Sequence, residues 1–139
     1  MTAEWFIDTN VLLYFVSKAP GEQEKARRAA DVLMQDGCGL STQVLAEFYV
    51  NATQKSRTTL PHAQVMAFLE SLRHLPTASL SREETLAAAA LAHRHKLAFW
   101  DAAIITAAQS LGCSVLYTED LQHGQRFGNL RVVNPFLST

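Results

Sequence analysis

The chain has 139 residues, a mass of 15.4 kDa and a formal net charge of −1. This length predicts one domain, residues 1–139, with a core of its own. Hydrophobic residues make up 48% and charged residues 18% of the chain, as is typical of soluble globular proteins. The longest apolar run, residues 11–16, is too short to cross a bilayer, and Glu4 and Asp8 precede it where a signal peptide carries basic residues.

The cysteines and the net charge bear on the protein's cellular compartment and on its binding partners. Cys38 and Cys113 have no metal-binding or redox-motif spacing, which predicts buried, reduced thiols in a cytoplasmic protein. A pI of about 6.5 gives no sign of nucleic-acid binding through bulk charge. Phosphate contacts are still possible if a metal neutralises part of the acidic charge. The basic candidates for such contacts are Lys25, Arg27, Arg28, Lys55, Arg57, Arg94 and Lys96.

Strand and helix patterns alternate along the chain. They predict a three-layer α/β/α fold with a central, mainly parallel sheet of about five short strands. The predicted strands cover residues 5–7, 37–40, 77–80, 113–118 and 130–133. The predicted helices cover residues 10–17, 23–35, a segment after Ser41 or Thr42, a segment with Pro61 in its first turn, 81–95 and 101–111.

Local signals support several helix starts and two helix faces. Asp8 can cap the first helix, and Ser81 with Glu84 forms a capping-box pattern. The helix after Ser41 has an apolar face, and so does the helix after Pro61. The first face consists of Val44, Leu45, Phe48, Tyr49 and Ala52, and the second of Val65, Phe68, Leu69 and Leu72.

Four carboxylates fall where an α/β fold delivers side chains to one end of its sheet: Asp8, Glu47, Asp101 and Asp120. Asp8 and Asp120 each follow a predicted strand, and Asp101 opens a helix whose dipole favours an acid. Ligands bind beyond the carboxyl ends of parallel strands, so these acids can converge there. Such a cluster repels itself, and a divalent cation is the usual remedy.

Each of these acids also has an ordinary structural explanation. The three aspartates can serve as helix caps, and Glu47 lies beyond the margin of its helix's apolar face, where a solvated glutamate looks the same. Asn51, one turn further on, can steady the Glu47 carboxylate or be plain surface. The prediction of a metal site therefore rests on the set of acids.

Patterns for other chemistries are missing from the sequence. It has no GxSxG elbow and no glycine-rich phosphate loop after a strand. His93 and His95 are two residues apart and point to different sides of a helix, which is poor metal geometry. A small α/β phosphatase with an aspartyl-phosphate intermediate would carry a second aspartate where Asn10 stands. The sequence therefore argues against a phosphatase.

Four segments, in this order and spacing, form a recognisable pattern that covers nearly the whole chain. They are Phe6-Ile7-Asp8-Thr9-Asn10-Val11-Leu12, Gln43-Val44-Leu45-Ala46-Glu47-Phe48-Tyr49, Phe99-Trp100-Asp101-Ala102-Ala103-Ile104, and Thr118-Glu119-Asp120-Leu121 with Asn134-Pro135-Phe136 after it. The pattern resembles PIN-domain proteins and, in its size, the VapC toxins of bacterial toxin–antitoxin pairs. The resemblance implies catalytic roles for Asp8, Glu47, Asp101 and Asp120, with Thr118 and Asn10 as supporting ligands. One departure is Ala98, where relatives often carry a small hydroxyl residue.

The resemblance also implies the activity: a metal-dependent endoribonuclease that cuts single-stranded or looped RNA with Mg²⁺ or Mn²⁺. Mg²⁺ prefers one or two carboxylates plus waters, so Asp8 and Asp101 are the expected direct ligands. Asp120, the third expected metal-binding residue, and Glu47 would serve the waters of that ion or a second ion. Splayed bases are expected to stack on an exposed aromatic near the site, which the sequence does not identify.

The same resemblance implies two protein partners, an antitoxin and a second copy of the chain. The helices that contain residues 44–52 and 65–72 could supply apolar surface for a homodimer, or could simply complete the core of one subunit. An alternative to the enzyme is a non-catalytic PIN module that binds RNA or protein. The complete set of four acids argues against that alternative, because a degenerate module need not keep it.

Overall fold

The structure is a computed structural model that describes residues 1–55 and 59–137. The helices are α1 Thr9–Val16, α2 Gln23–Leu33, α3 Thr42–Val50, α4 His62–Ser71, α5 Arg82–His95 and α6 Phe99–Ser110. The strands are β1 Trp5–Ile7, β2 Cys38–Ser41, β3 Thr77–Ala78, β4 Val115–Tyr117, β5 Arg126–Phe127 and β6 Leu130–Val133. A π-helical turn, Asn51–Lys55, continues α3.

The strands form one sheet in the order β3-β2-β1-β4-β6-β5. Every neighbouring pair is parallel except β5 and β6. The chain moves outward from β1 to β3 and then returns to the other side of β1, where it forms β4. Right-handed crossovers that run in opposite directions place their helices on opposite faces of the sheet. Accordingly, the helices form two groups: α5 packs on α6, and α1 contacts α2 and α3. The predicted α/β fold with a mainly parallel sheet is confirmed.

The sheet has one more strand than the sequence predicted. In the described part of the chain there are six strands, and the additional one is β5, which is only two residues long. It forms a tight hairpin with β6, and Phe127 pairs with Leu130. Gly128 makes the turn with φ 63°, a conformation that glycine adopts without strain. Two residues are too few to display an alternating pattern, so no pattern in the sequence indicated this strand.

Two of the predicted caps are present, those of α1 and α5, whereas in the described part of the chain neither Asp101 nor Asp120 caps a helix. The Asp8 carboxylate accepts a hydrogen bond from the Thr9 amide, 2.7 Å, and caps α1. Ser81 and Glu84 form the predicted capping box of α5. Helix α6 begins at Phe99 instead of at Asp101, which therefore lies in the first turn. That position still exposes the carboxylate to the positive end of the helix dipole.

The core lies between the sheet and the two helix layers, and it includes part of both predicted apolar faces. Val44, Phe48, Ala52, Val65 and Leu72 are all buried. The suggestion that these faces expose apolar surface for a dimer is therefore wrong for these residues, because they complete one subunit's core. Cys38 and Cys113 are free and buried, as predicted, and burial raises the pKa of each thiol, to about 11 and about 12. Within the described residues, no helix combines the length and hydrophobicity that crossing a membrane requires.

Candidate functional site

The candidate site lies in the crevice where the strand order reverses, between the carboxyl ends of β1 and β4. Asp8 follows β1, and its backbone amide donates to the Tyr117 carbonyl at the end of β4, 3.0 Å. The Thr118 hydroxyl donates to Asp8 Oδ2 at 2.7 Å, and the Thr9 amide donates to Asp8 Oδ1. Because both oxygens accept a hydrogen bond, the carboxylate has a fixed orientation. Asp8 is also largely buried, with 7% of its surface exposed.

Asp120 is joined to Asp8 through Thr118 and Asn10. The Asn10 side-chain amide donates to Asp120 Oδ2 at 3.1 Å and to Thr118 Oγ1 at 3.3 Å. The Asp120 backbone amide donates to the same hydroxyl oxygen at 3.1 Å. Asn10 Oδ1 is buried and has no hydrogen-bond partner among the residues that the structure describes. The site therefore contains one free acceptor beside two carboxylates.

Glu47 reaches the crevice from α3, through two further contacts. The Gln43 side-chain amide donates to Glu47 Oε1 at 2.5 Å and to the Trp100 carbonyl at 3.3 Å. The Thr9 hydroxyl donates to Glu47 Oε2 over a longer distance, 3.5 Å. Since Trp100 directly precedes Asp101, Gln43 links α3 to the first turn of α6. The crevice is thus bordered by the ends of β1 and β4, which Asp8 and Asp120 follow, and by α3 and α6, which contain Glu47 and Asp101.

The four acids influence one another electrostatically. Burial raises the pKa of Asp8 to about 6, with the charges of Asp120 and Glu47 adding to this and the hydrogen bonds from Thr118 and Thr9 opposing it. The pKa of Asp101 is also raised, first by burial and then by Asp120 and Glu47. A nearby negative charge raises the pKa of Asp8 and Asp101 because it disfavours the ionised form of each. The structure thus brings the predicted acids into one electrostatic unit.

The acids border the crevice without meeting at one point. Over residues 1–55 and 59–137, no three Asp, Glu, His or Cys side chains are placed to hold a metal ion. Their chemistry still fits Mg²⁺ or Mn²⁺, because Mg²⁺ takes one or two carboxylates and fills its remaining positions with waters. A hydrated cation beside Asp8, Asp101 and Asp120 would offset their repulsion and supply a donor to Asn10 Oδ1.

Two contacts in the site were missed by sequence reasoning, and one suggestion was wrong. Gln43 precedes Glu47 by four residues, the spacing at which helical side chains meet, and that spacing was the available signal. Thr9 had no such signal, because its neighbour across the crevice is 38 residues away. Asn51 donates to the Glu47 backbone carbonyl at 2.8 Å and so does not steady the carboxylate. Ala98 stands at the N-cap of α6 and makes no side-chain cap.

The basic residues of α2 are bonded to neighbouring polar groups. Lys25 donates to the Tyr14 hydroxyl at 3.0 Å and pairs with Glu119, which also accepts from Tyr14. Arg27 and Arg28 both pair with Glu24. Their charge is therefore partly neutralised, which weakens the case for them as phosphate contacts. Of the other candidates, Arg94 and Lys96 are exposed near the end of α5, whereas Arg57 and the side chain of Lys55 lie outside the described residues.

Comparison with known proteins identifies the fold and its family. The family model of the PIN domain matches residues 5–126, which is most of the chain. The protein therefore belongs to the PIN domain family. A search of curated proteins found no significant match.

Solved structures that resemble this one include three chains of similar length. A toxin–antitoxin complex from Klebsiella pneumoniae matches with a TM-score of 0.72 and 21% identity, covering 96% of this chain and 98% of that chain. FitAcB from Neisseria gonorrhoeae has a TM-score of 0.60 and 18% identity over 95% and 98% of the two chains. VapBC2 from Rickettsia felis, bound to a DNA fragment from its promoter, has a TM-score of 0.61 and 20% identity over 92% and 96%. At these identities the likeness describes the fold.

Proposed function

We propose that this protein is a metal-dependent endoribonuclease and the toxin of a toxin–antitoxin pair. The observation that carries the proposal is the network that joins Asp8, Thr118, Asn10 and Asp120 at the reversal of strand order. This network holds two carboxylates side by side in a crevice that Asp101 and Glu47 also border. Membership of the PIN domain family and the resemblance to toxin–antitoxin structures support the same function.

Asp8, Asp101 and Asp120 are the residues that would hold the ion. Bound there, Mg²⁺ or Mn²⁺ would polarise the scissile phosphate, favour ionisation of the attacking water and stabilise the leaving oxygen. Thr118 and Thr9 keep the Asp8 carboxylate in one orientation through their hydrogen bonds. Asn10 holds Asp120, and Gln43 holds Glu47, so together with Asp8 three carboxylates have defined positions before substrate arrives. Glu47, whose charge acts on both Asp8 and Asp101, would accept a proton from the attacking water.

Cleavage of RNA by the purified full-length chain tests this function. We expect a single-stranded RNA to be cut with Mg²⁺ or Mn²⁺ present, and cleavage to stop with EDTA and return when Mn²⁺ is added in excess. DNA of the same sequence serves as the matched substrate control. RNA that stays intact under all metal conditions would contradict the proposal. If the same RNA is nevertheless bound, the protein is the alternative, a non-catalytic RNA-binding PIN module.

The proposed protein partner is an antitoxin that covers the acidic crevice. An arginine suits this role, because its planar guanidinium binds carboxylates through two parallel hydrogen bonds. A cleft of about 280 Å³ extends from Asn10 along α1 and offers apolar surface next to the crevice, including Leu13 and Leu60. We expect the reading frame just upstream to encode a short DNA-binding protein that inhibits RNA cleavage when added in equal amount. A co-purified upstream product without effect on cleavage would contradict this partner.

We further propose that the chain forms a homodimer. The buried faces of α3 and α4 do not supply its interface, but Phe15, Val50 and Met66 on the surface of α1, α3 and α4 are 39%, 37% and 39% exposed. Phe15 stacks on Phe68 and so extends the apolar surface of α4. Light scattering at micromolar concentration should give about 31 kDa, twice the 15.4 kDa of one chain. A mass near 15 kDa at every concentration would rule the dimer out.

A further inference from the structure

Trp100 lies in an unusual position for a tryptophan. It occupies the first turn of α6, directly before Asp101, and is 64% exposed. The neighbouring Phe99 ring meets it nearly at a right angle, with the centroids 5.0 Å apart. Burial stabilises a large aromatic side chain. One that is exposed beside a candidate active site therefore indicates that a ligand covers it.

The indole borders a groove of about 770 Å³ between α3, the start of α5 and the start of α6. Leu80 and Trp100 give the groove apolar walls, whereas Thr42, Gln43 and Thr85 supply uncharged polar groups. Glu47 is the one charged side chain among the residues that line it. A phosphate would be repelled by this carboxylate, but an uncharged ring with hydrogen-bonding edges would not. The groove therefore suits a nucleobase.

The groove is continuous with the acidic crevice through two residues. Glu47 borders both, and Gln43 donates to the Glu47 carboxylate and to the Trp100 carbonyl. A nucleotide whose phosphate met a cation beside Asp101 would thus have the indole one residue away along the helix. Bases of single-stranded RNA commonly stack on exposed aromatic rings, which accept any base because every base has a π face.

We propose, building on the proposed ribonuclease function, that Trp100 is the stacking platform for one unpaired base of the RNA next to the bond that is cut. The groove holds that base, with the side-chain oxygen of Gln43 and the hydroxyls of Thr42 and Thr85 offering partners to its edge. Trp100 is thereby a binding residue and takes no part in proton transfer. This assignment requires an RNA that is unpaired at that nucleotide, since a paired base cannot leave its helix to stack.

Steady-state cleavage of a single-stranded RNA by Trp100→Ala and Trp100→Phe tests the assignment. We expect Trp100→Ala to raise KM about tenfold with little change in kcat, because stacking stabilises bound substrate and transition state equally. Trp100→Phe should retain most of the affinity. Leu86→Ala is the matched control, since Leu86 is similarly exposed at 62% on α5 and does not line the groove. Circular dichroism and the melting temperature check that each variant is folded.

A second measurement identifies the base itself. An abasic nucleotide is moved position by position past the cleavage site of the substrate. With wild type, the abasic nucleotide at one position should lower kcat/KM about tenfold. With Trp100→Ala, the abasic nucleotide at the same position should lower kcat/KM no further, which is the signature of two groups in direct contact. An unchanged KM for Trp100→Ala, or full additivity of the two changes, would overturn the assignment.

Two other outcomes are distinguishable from this one. If light scattering shows that Trp100→Ala alone turns a dimer into a monomer while Leu86→Ala does not, a second copy of the chain covers the groove and the assignment is overturned. If wild type cuts no RNA, the proposed ribonuclease function fails instead. Quenching of indole fluorescence by RNA then tests separately whether the groove binds a base. Trp100→Phe leaves Trp5 as the remaining tryptophan, so the difference between wild type and this variant reports on Trp100. Quenching that is equal in wild type and Trp100→Phe would also overturn the assignment.

Discussion

Replacement of Asp101 by asparagine is expected to lower the rate of RNA cleavage at least about 100-fold. The change removes a charge from the group that faces the crevice at the start of α6 and keeps the shape of the side chain. Charge stabilisation at a metal site supplies several kcal/mol of the barrier, and each 1.36 kcal/mol is a factor of ten. We expect Asp120→Asn to have a similar effect, because Asn10 holds that carboxylate beside Asp8. Gel-based cleavage assays with Mn²⁺ measure both.

The fold should survive both substitutions, because the acids face the crevice and not the core. Circular dichroism spectra of the variants and the wild type should therefore overlap. Asp36→Asn is the matched control, since Asp36 is exposed in the turn before β2. Its activity should equal that of wild type. Equal cleavage by wild type, Asp101→Asn and Asp120→Asn would point to a contaminating nuclease or to a different site.

Replacement of Asp8 by asparagine is expected to have opposite effects with and without metal. Without metal, ionised Asp8 destabilises the native state, because burial raises the pKa of its carboxyl from 3.8 to about 6. At about 1.4 kcal/mol per pKa unit, this costs up to about 3 kcal/mol at pH 7. The variant avoids this cost, but weaker hydrogen bonds with Thr118 and Thr9 offset part of its gain in stability. We therefore expect the metal-free variant to be about 1 to 2 kcal/mol more stable at pH 7.

The pH dependence gives the sign of this effect. Since the native carboxyl holds its proton more tightly than the unfolded one, wild type loses stability as the pH rises from about 4 to about 6. Below pH 4 both states are protonated at Asp8, and the destabilisation disappears. Urea unfolding in EDTA at pH 4, 5, 6 and 7 measures it. The opposite result, a wild type whose free energy of unfolding rises relative to that of Asp8→Asn with increasing pH, would mean that Asp8 is ionised at low pH in the native state.

With metal, the order of stability is reversed. A cation at 100 times its Kd stabilises the wild type by about 2.7 kcal/mol, roughly 8 °C in melting temperature for a chain of this size. Asp8→Asn should lose most of that gain, whereas Asp36→Asn should keep it. Differential scanning fluorimetry across millimolar Mg²⁺ and Mn²⁺ measures the shifts. An unchanged wild-type melting temperature at every concentration would count against the metal site.

The sequence by itself located the helices and every strand except β5, and it singled out the four acids that border the crevice. Apolar runs with an acid after them located β1 and β4, and the Ser81–Glu84 capping box located α5. These signals are local: a strand's apolar run, a cap or a helical period can be read within a few residues. The order of motifs was equally readable, and it indicated the PIN family whose model matches residues 5–126.

Only the tertiary structure decided how those acids are arranged around the crevice. The hydrogen bonds from Thr118 to Asp8 and from Asn10 to Asp120 join residues about 110 positions apart, and no local pattern encodes such pairs. The same is true of the groove at Trp100, which forms because α3, α5 and α6 come together around it. Burial also depends on the whole fold, and so the raised pKa of Asp8 could not be read from its neighbours in sequence. The apolar faces of α3 and α4 show the limit most clearly, since hydrophobic periodicity identifies a buried face without saying whether its own chain or a second copy covers it.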